Sequence, residues 1–246
     1  MNTQESVQER RARKRGLYVS PLARVVRSVV HGEPVFFTVV NPRDEIQKHH
    51  LQGQFYEPEE LAIIARHFPV GGRFCDIGTN VGNHSLYVAK FLHAARILMF
   101  EPNPAAIEIL ESNVNLNGIG AVCDRQFLGM GLSDKAVEGA SMRVPARNLG
   151  GSRVIEGEGD IRLAALDDLV RGERFDLIKI DVEGMELKVL AGMRRLLAET
   201  RPKLFIEVDA VNYAGFDAFL DSVGYAALER FQRYERNTNF LVGPKA

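Results

Sequence analysis

Two kinds of apolar pattern alternate along this chain from Arg73 onward. Short, nearly unbroken runs, RFCDI at 73–77, RILMFE at 96–101, FDLIKID at 175–181 and KLFIEV at 203–208, predict strands buried on both faces. Between them, NHSLYVAKFLH, AAIEILESNVNLN, MELKVLAGMRRLLAE and FDAFLDSVG space their apolar residues three and four apart and predict helices, the second closed by Gly118. DRQFLGMGLS holds a further strand, and YAALERF and TNFLVG predict two terminal ones. Strands alternating with helices imply a mostly parallel sheet covered on both faces, in which ligands sit beyond the C-terminal strand ends.

Upstream the pattern is less regular. Leu22, Val25, Val26, Val29 and Val30 lie at helical spacing and predict a helix over residues 21–30. PVFFTVV at 34–40 predicts a strand, and Pro58 followed by EELAIIARHF a helix with proline in its first turn. Residues 136–165 carry Gly139, Pro145, Gly150, Gly151, Gly157 and Gly159 and read as a hairpin or loop insertion. One domain of about 190 residues with an N-terminal extension is the expected organisation.

Composition removes several classes. Of 246 residues 46% are hydrophobic, enough for a sizeable core, and 31 Lys plus Arg against 32 Asp plus Glu leave a formal charge of −1, which gives no support for a nucleic-acid partner. Cys75 and Cys123 make no disulfide framework and suit a reducing, cytoplasmic setting. No apolar run approaches a membrane span, and MNTQESVQERRARKRG lacks the apolar core of a signal peptide. Its basic residues Arg10 to Arg15 could still touch an anionic membrane surface weakly.

The chemistry concentrates at the strand ends. The first strand runs into Asp76-Ile77-Gly78-Thr79-Asn80-Val81-Gly82. Its glycines permit a sharp turn and close approach to a ligand. The pattern D-x-G-x-N-x-G is not the G-x-G-x-x-G that admits a pyrophosphate. A carboxylate at such a mouth would repel phosphate but accept bonds from the α-ammonium of S-adenosylmethionine. Glu101, 25 residues after Asp76 and followed by Pro102-Asn103-Pro104, suits a ribose diol. Further on, Ile178-Lys179-Ile180-Asp181-Val182-Glu183-Gly184 would place Lys179, Asp181 and Glu183 on one face, with Asp181 or a neighbouring strand's carboxylate pairing the buried lysine. Glu207 and Asp209 end the next strand. Each feature alone has an ordinary structural explanation: a tight turn, a helix cap, an ion-pair network. His49-His50 reads as a solvated loop pair, and His84 as a residue that caps or packs.

Together D-I-G-T-N-V-G-N-H, F-E-P-N-P, N-V-N-L-N-G, I-K-I-D-V-E-G-M-E-L-K-V-L-A-G and the weaker L-S-D at 132–134 and L-D-D at 166–168 resemble the FkbM family of methyltransferases. The resemblance runs from about Glu57 to Val208 and departs from the family at Thr79, where alanine is usual. It implies an α/β, class I methyltransferase (Rossmann-like) fold: a doubly wound, mostly parallel seven-stranded sheet with an antiparallel last strand. It further implies S-adenosyl-L-methionine as cofactor and an O-methylated hydroxyl on a small molecule or glycan, such as a sugar, glycolipid or polyketide-type acceptor. Residues 57–246 would form the methyltransferase domain and residues 1–56 an extension capping the acceptor site. Asp76, Gly78, Thr79, Asn80, Gly82, Glu101, Pro102 and Asn103 are the expected cofactor residues. Asp181 is the expected base or orienting carboxylate, with Glu207 assisting and Lys179 holding the cluster. No residue is assigned to a metal, although Asp181 and Glu207 could instead hold Mg²⁺. The rival readings are an NAD-dependent oxidoreductase on a similar sheet and a cofactor-binding module without catalysis.

Overall fold

The computed structural model describes residues 23–145, 149–157 and 159–245. The basic segment Arg10–Arg15 and Leu22 lie outside them. The described chain opens not with a helix but with a hairpin of β1 (Arg24–Val30) and β2 (Glu33–Val39), paired from Arg24↔Val39 to Val30↔Glu33. The helical spacing of the valines is overridden by two local preferences. Four β-branched valines resist helix packing. His31 and Gly32 both take positive φ, 49° and 84°, as the two-residue turn of a twisted hairpin requires.

β2 then lies on the body of the protein. Asn117 and Asn113 bind its backbone at Phe36 and Thr38, with Thr38 N–H donating to Asn113 Oδ1 at 2.7 Å. α1 (Glu45–Leu51) and α2 (Pro58–His67) follow. The regular alternation comes next: β3 (Arg73–Ile77), α3 (Asn83–Phe91), β4 (Arg96–Glu101), α4 (Pro104–Leu116) and β5 (Cys123–Leu128).

The segment expected to be an irregular insertion folds into its own small sheet. Its strands are β6 (Met130–Leu132), β7 (Val137–Arg143), β8 (Arg153–Glu156) and β9 (Ile161–Ala164), in the order β6-β9-β7-β8. β7 and β8 make the expected hairpin. After α5 (Leu166–Leu169) and β10 (Leu177–Ile180), the predicted long helix is two short ones, α6 (Glu186–Ala191) and α7 (Arg194–Thr200). Asp167, from the L-D-D run, accepts from the N–H groups of Arg195 and Leu196 at 2.8 and 2.9 Å and so caps the second. β11 (Lys203–Asp209), α8 (Tyr213–Val223), β12 (Tyr225–Phe231) and β13 (Asn237–Pro244) complete the chain.

The main sheet has the order β12-β13-β11-β10-β3-β4-β5, with β13 antiparallel to both neighbours and β3, β4, β5, β10 and β11 parallel. The chain winds outward from β3 to β5 and then returns to β10 on the other side of β3. The loops after β3 and β10 therefore diverge and leave a crevice at their C-terminal ends. Cys75, Ile77, Ile178, Ile180 and Ile206 pack on one face of the sheet, and Phe74, Met99, Leu177 and Phe205 on the other. Val35, Phe37 and Phe55 join this second face, so residues 24–56 share the core rather than forming a separate body.

One carboxylate ties two distant segments together. The buried Asp44 accepts from Ile46 N–H and Gln47 N–H at 3.2 and 3.0 Å, capping α1, and its other oxygen accepts from Leu149 N–H at 2.7 Å. Asp44→Ala should lower stability by about 2–4 kcal/mol, from a lost cap plus one orphaned N–H. Urea denaturation measures it; a loss under about 0.5 kcal/mol would show that the latch carries no weight.

Candidate active site

Two cavities open at the crevice and meet at Gly78, Asn80, Gly150, Asp181 and Glu183. The first is a slot with apolar walls from Phe100, Pro102, Met130, Leu132, Met142, Leu149, Val154, Val182 and Met185 and with the polar side chains of Asn80, Glu101, Ser152, Asp181 and Glu183. The second, about 430 Å³, is polar and is lined by Tyr56, Glu57, Thr79, Asn83, His84, Lys179, Glu207, Tyr234 and Arg236 among others.

The loop after β3 is held by backbone bonds from Gly78 and Thr79 N–H to Phe100 O at 2.9 and 3.0 Å. Gly78 has φ +76°, and a Cβ there would stand 1.9 Å from Asp181 O, so only glycine lets the loops after β3 and β10 touch. Thr79 turns its hydroxyl inward to Asp76 O at 2.8 Å, which explains how a residue larger than alanine is accommodated. Asn80 takes φ +52°, and its N–H donates to Glu101 Oε2 at 2.8 Å. Glu101 Oε1 accepts from Asn103 N–H at 2.8 Å; each oxygen retains a lone pair.

The expected cofactor residues thus divide. Gly78, Thr79, Asn80, Glu101 and Pro102 line the cavities. Asp76, Gly82 and Asn103 line neither and act from behind. Gly82 packs on Leu110, and Asn103 caps α4 through Ala105 N–H at 3.1 Å. Asp76 is fully buried, with Oδ2 accepting from Ser85 Oγ at 2.5 Å and Oδ1 lying 3.7 Å from Lys179 Nζ.

Lys179 enters from β10 between these groups. Its Nζ donates to Gly78 O at 2.9 Å and to Asp181 Oδ2 at 3.3 Å. Burial alone would lower its pKa, but Asp181, Asp76 and Glu57 outweigh burial and hold it above its ordinary value. The expected pairing with Asp181 is therefore present, and the adjacent strand's Asp76 joins it. Glu183 reaches the cavity differently from the expected strand alternation. β10 ends at Ile180, and Glu183 arrives through a left-handed turn at φ +48°, where Arg236 pairs with it at 2.8 Å.

Asp181, Glu183 and Glu207 bring oxygens within 4.8 Å of one another. Lys179 and Arg236 already supply positive charge to two of them. Burial and like-charged neighbours make two of the three reluctant to ionise: burial first, then Asp181, pushes Glu207 up to about 9 and Glu183 up to about 7. Burial also pushes Glu57 and Glu101 up, to about 8 and about 7.

Several cavity residues escaped the sequence reading. Glu57, Tyr56, Tyr234 and Arg236 come from the start of α2 and the β12–β13 turn, where no motif marks them; Tyr56 and Tyr234 bring their hydroxyls within 3.3 Å. The apolar slot draws on Met142, Leu149 and Val154 from the inserted sheet. His50, expected in a solvated loop, is buried in α1, stacked on Phe37 at 4.5 Å and bonded to Asn83 Oδ1 at 3.1 Å. His84 is buried and lines the polar cavity, with Nε2 lacking a hydrogen-bond partner.

The arrangement fits S-adenosylmethionine and not a pyrophosphate dinucleotide. A slot with apolar walls and the Glu101 carboxylate opens into an acidic cavity, with the unpartnered Asn80 Oδ1 where the two meet and the unpartnered His84 Nε2 in the second. Fold and site together define a class I, S-adenosylmethionine-dependent methyltransferase. The chain belongs to the FkbM methyltransferase family, whose domain matches residues 76–233. It is 33% identical to methyltransferase sdnD of Sordaria araneosa, over 48% of this chain and 59% of that one. It is 28% identical to the hexuronic acid methyltransferase AglP of Haloferax volcanii, over 76% and 74%. Among solved structures, the methyltransferase FkbM of Methylobacillus flagellatus superimposes with TM-score 0.50 at 21% identity, covering 70% of this chain and 44% of that one. TYW2 of P. horikoshii, in complex with MeSAdo, reaches 0.53 at 14% identity, covering 98% and 83%. The chain thus spans well under two thirds of the sdnD and Methylobacillus proteins. Among the described residues no helix is long and apolar enough to cross a membrane.

The carboxyl shifts set a pH profile. Glu57, Glu101, Glu183 and Glu207 are raised in the folded state from 4.5 to about 8, 7, 7 and 9, so the folded protein binds more protons than the unfolded chain. Their contribution is present at low pH and is lost as pH rises from about 4.5 through 9. His50, lowered by burial to about 4, acts oppositely, and its contribution is lost as pH falls below about 6.5. Above about pH 5 the four carboxyls outweigh the one histidine, so the ligand-free protein should weaken steadily from about pH 5 to pH 9. Urea midpoints across that range test this, and a midpoint that rises toward pH 9 would contradict it.

Proposed function

We propose that the protein transfers a methyl group from S-adenosylmethionine to a hydroxyl oxygen of a small molecule or glycan. The observation that carries this reading is the position of Asp181 at the junction of the apolar slot and the polar cavity. A group there touches whatever passes between a nucleoside on one side and an acceptor on the other.

The slot, with Glu101 and Pro102 at its edge, is assigned to the adenosine, Glu101 using its free lone pairs on the ribose hydroxyls. Gly78, Thr79 and Asn80 shape the passage, while Asp76, Gly82 and Asn103 hold it from behind. S-adenosylmethionine, when bound, supplies a methyl on a sulfonium already activated for in-line displacement. What remains for the protein is to align the acceptor oxygen and to receive its proton. Asp181 is assigned the alignment or the proton, with Glu207 beside it and Lys179 keeping Asp181 in place. A carboxylate in hydrogen-bond reach of the hydroxyl is worth typically 10²–10⁴-fold in rate. Residues 24–56 contribute Glu45, Ile46 and Tyr56 to the cavity wall, which supports a capping role for the N-terminal extension.

A hydroxyl is favoured over a carboxyl acceptor by charge. Glu57, Asp181, Glu183 and Glu207 line the same cavity, and an anionic acceptor would add to that negative charge. Lys179 and Arg236 already pair with Asp181 and Glu183, which weakens the cluster's pull on a divalent cation, and no metal is assigned.

Incubation with methyl-labelled donor and fractionated extract tests the reading. Label should enter a neutral fraction as an ether that survives mild alkali; alkali-labile label would indicate an ester and overturn the hydroxyl assignment. Asp181→Asn should bind the cofactor normally and lose 10²-fold or more of turnover, and wild-type activity should survive exhaustive chelation. Near-normal turnover in the variant would end Asp181's role.

A further inference from the structure

An amino-acid cofactor needs a partner for its α-ammonium, and the residue expected to provide it does not reach the cavity. Asp76 lies wholly behind the loop, one oxygen on Ser85 and the other toward Lys179. Among the described carboxylates that do line the polar cavity, Glu45 is engaged by Lys48, Asp181 by Lys179 and Glu183 by Arg236. Glu207 sits with these two at the strand ends. Glu57 stands apart, beside the start of α3, where the glycine loop delivers the chain.

That placement is built. Asn83, the first residue of α3, grips the backbone of Tyr56 on both sides, accepting its N–H at 3.0 Å and donating to its C=O at 2.9 Å. Glu57 follows at φ +58°, a left-handed conformation that bulky residues avoid, immediately before Pro58. Its side chain is 13% exposed, and its Oε2 lies 3.7 Å from Nε2 of His84. His84 is itself buried, 6% exposed, lines the same cavity and has no partner for Nε2. Burial and the nearby Lys179 push its pKa well down, so it is a neutral ring that can accept a hydrogen bond.

We propose that Glu57 and His84 together form the receptor for the α-ammonium of the cofactor, Glu57 supplying the counter-charge and His84 Nε2 a neutral acceptor. This rests on the methyltransferase reading above. It assigns the methionine end of the cofactor to the α2–α3 side of the cavity and leaves Asp181 and Glu207 free for the acceptor. The same assignment gives the strained backbone at Glu57 a purpose, because a right-handed residue at that point would turn the side chain elsewhere.

The test compares S-adenosylhomocysteine, which carries the ammonium, with 5′-methylthioadenosine, which lacks the whole amino-acid end. Calorimetry is run on wild type, Glu57→Gln and Glu207→Gln. Glu57→Gln should weaken S-adenosylhomocysteine at least tenfold and leave methylthioadenosine within twofold; Glu207→Gln should leave both within twofold. Equal weakening of the two ligands by Glu57→Gln, no weakening, or a selective loss in Glu207→Gln instead would overturn the proposal. If Glu57→Gln does not fold, the desamino analogue of S-adenosylhomocysteine is titrated against wild type, and affinity equal to that of the parent compound overturns it. Wild type that binds none of these nucleosides would defeat the methyltransferase reading itself, a separate outcome.

Discussion

A single ammonium group buried at the centre of the sheet governs this site. Lys179 lies on the face of β10 shared with Leu177, where its neighbours are apolar, and it is tolerated there only because Asp76, Asp181 and Gly78 O surround it. Removal of any one of these partners would leave charge without compensation in a place water does not reach. The contact between the loops after β3 and β10 depends on the same group, since Lys179 spans from one to the other. The close approach at Gly78 and the alignment of Asp181 follow from it.

Around this anchor the site holds more negative charge than it neutralises. Among the described residues no cation pairs with Glu57 or Glu207, which face the cavity, and burial makes both resist ionisation. A ligand carrying positive charge relieves that resistance, whereas an anionic one adds to it. Three of the six left-handed non-glycine residues, Glu57, Asn80 and Glu183, border the cavity, so conformational strain gathers where charge does. Such a site lowers the stability of the empty protein and returns it on binding.

The mostly parallel sheet and the convergence of Asp181 with Glu207 were legible in the sequence, because buried strands and their acidic ends follow one another at regular intervals. The I-K-I-D-V-E-G run showed Lys179 and Asp181 as a pair, since a lysine in a buried strand demands a partner. Three things were not legible. The valines at 25, 26, 29 and 30 satisfy a helical period while preferring a strand, and only the His31–Gly32 turn separates the two. Asp76 carries the look of a ligand-binding acid, yet whether it faces a cavity or Lys179 is decided by a strand 100 residues away. Glu57, Tyr234 and the inserted sheet reach the cavity by tertiary packing, with no local pattern that marks them.

The double grip of Asp44 has an evolutionary consequence. Because one carboxylate caps α1 on the wall of the polar cavity and holds Leu149 on the wall of the other, the two walls cannot drift independently. Exchange of the N-terminal segment between relatives would remove the partner of Leu149 in the neighbouring wall. Chimeras that retain cofactor affinity should be those in which residues 24–56 travel together with residues 136–165, so the inheritable unit of specificity is a pair of segments far apart in the chain.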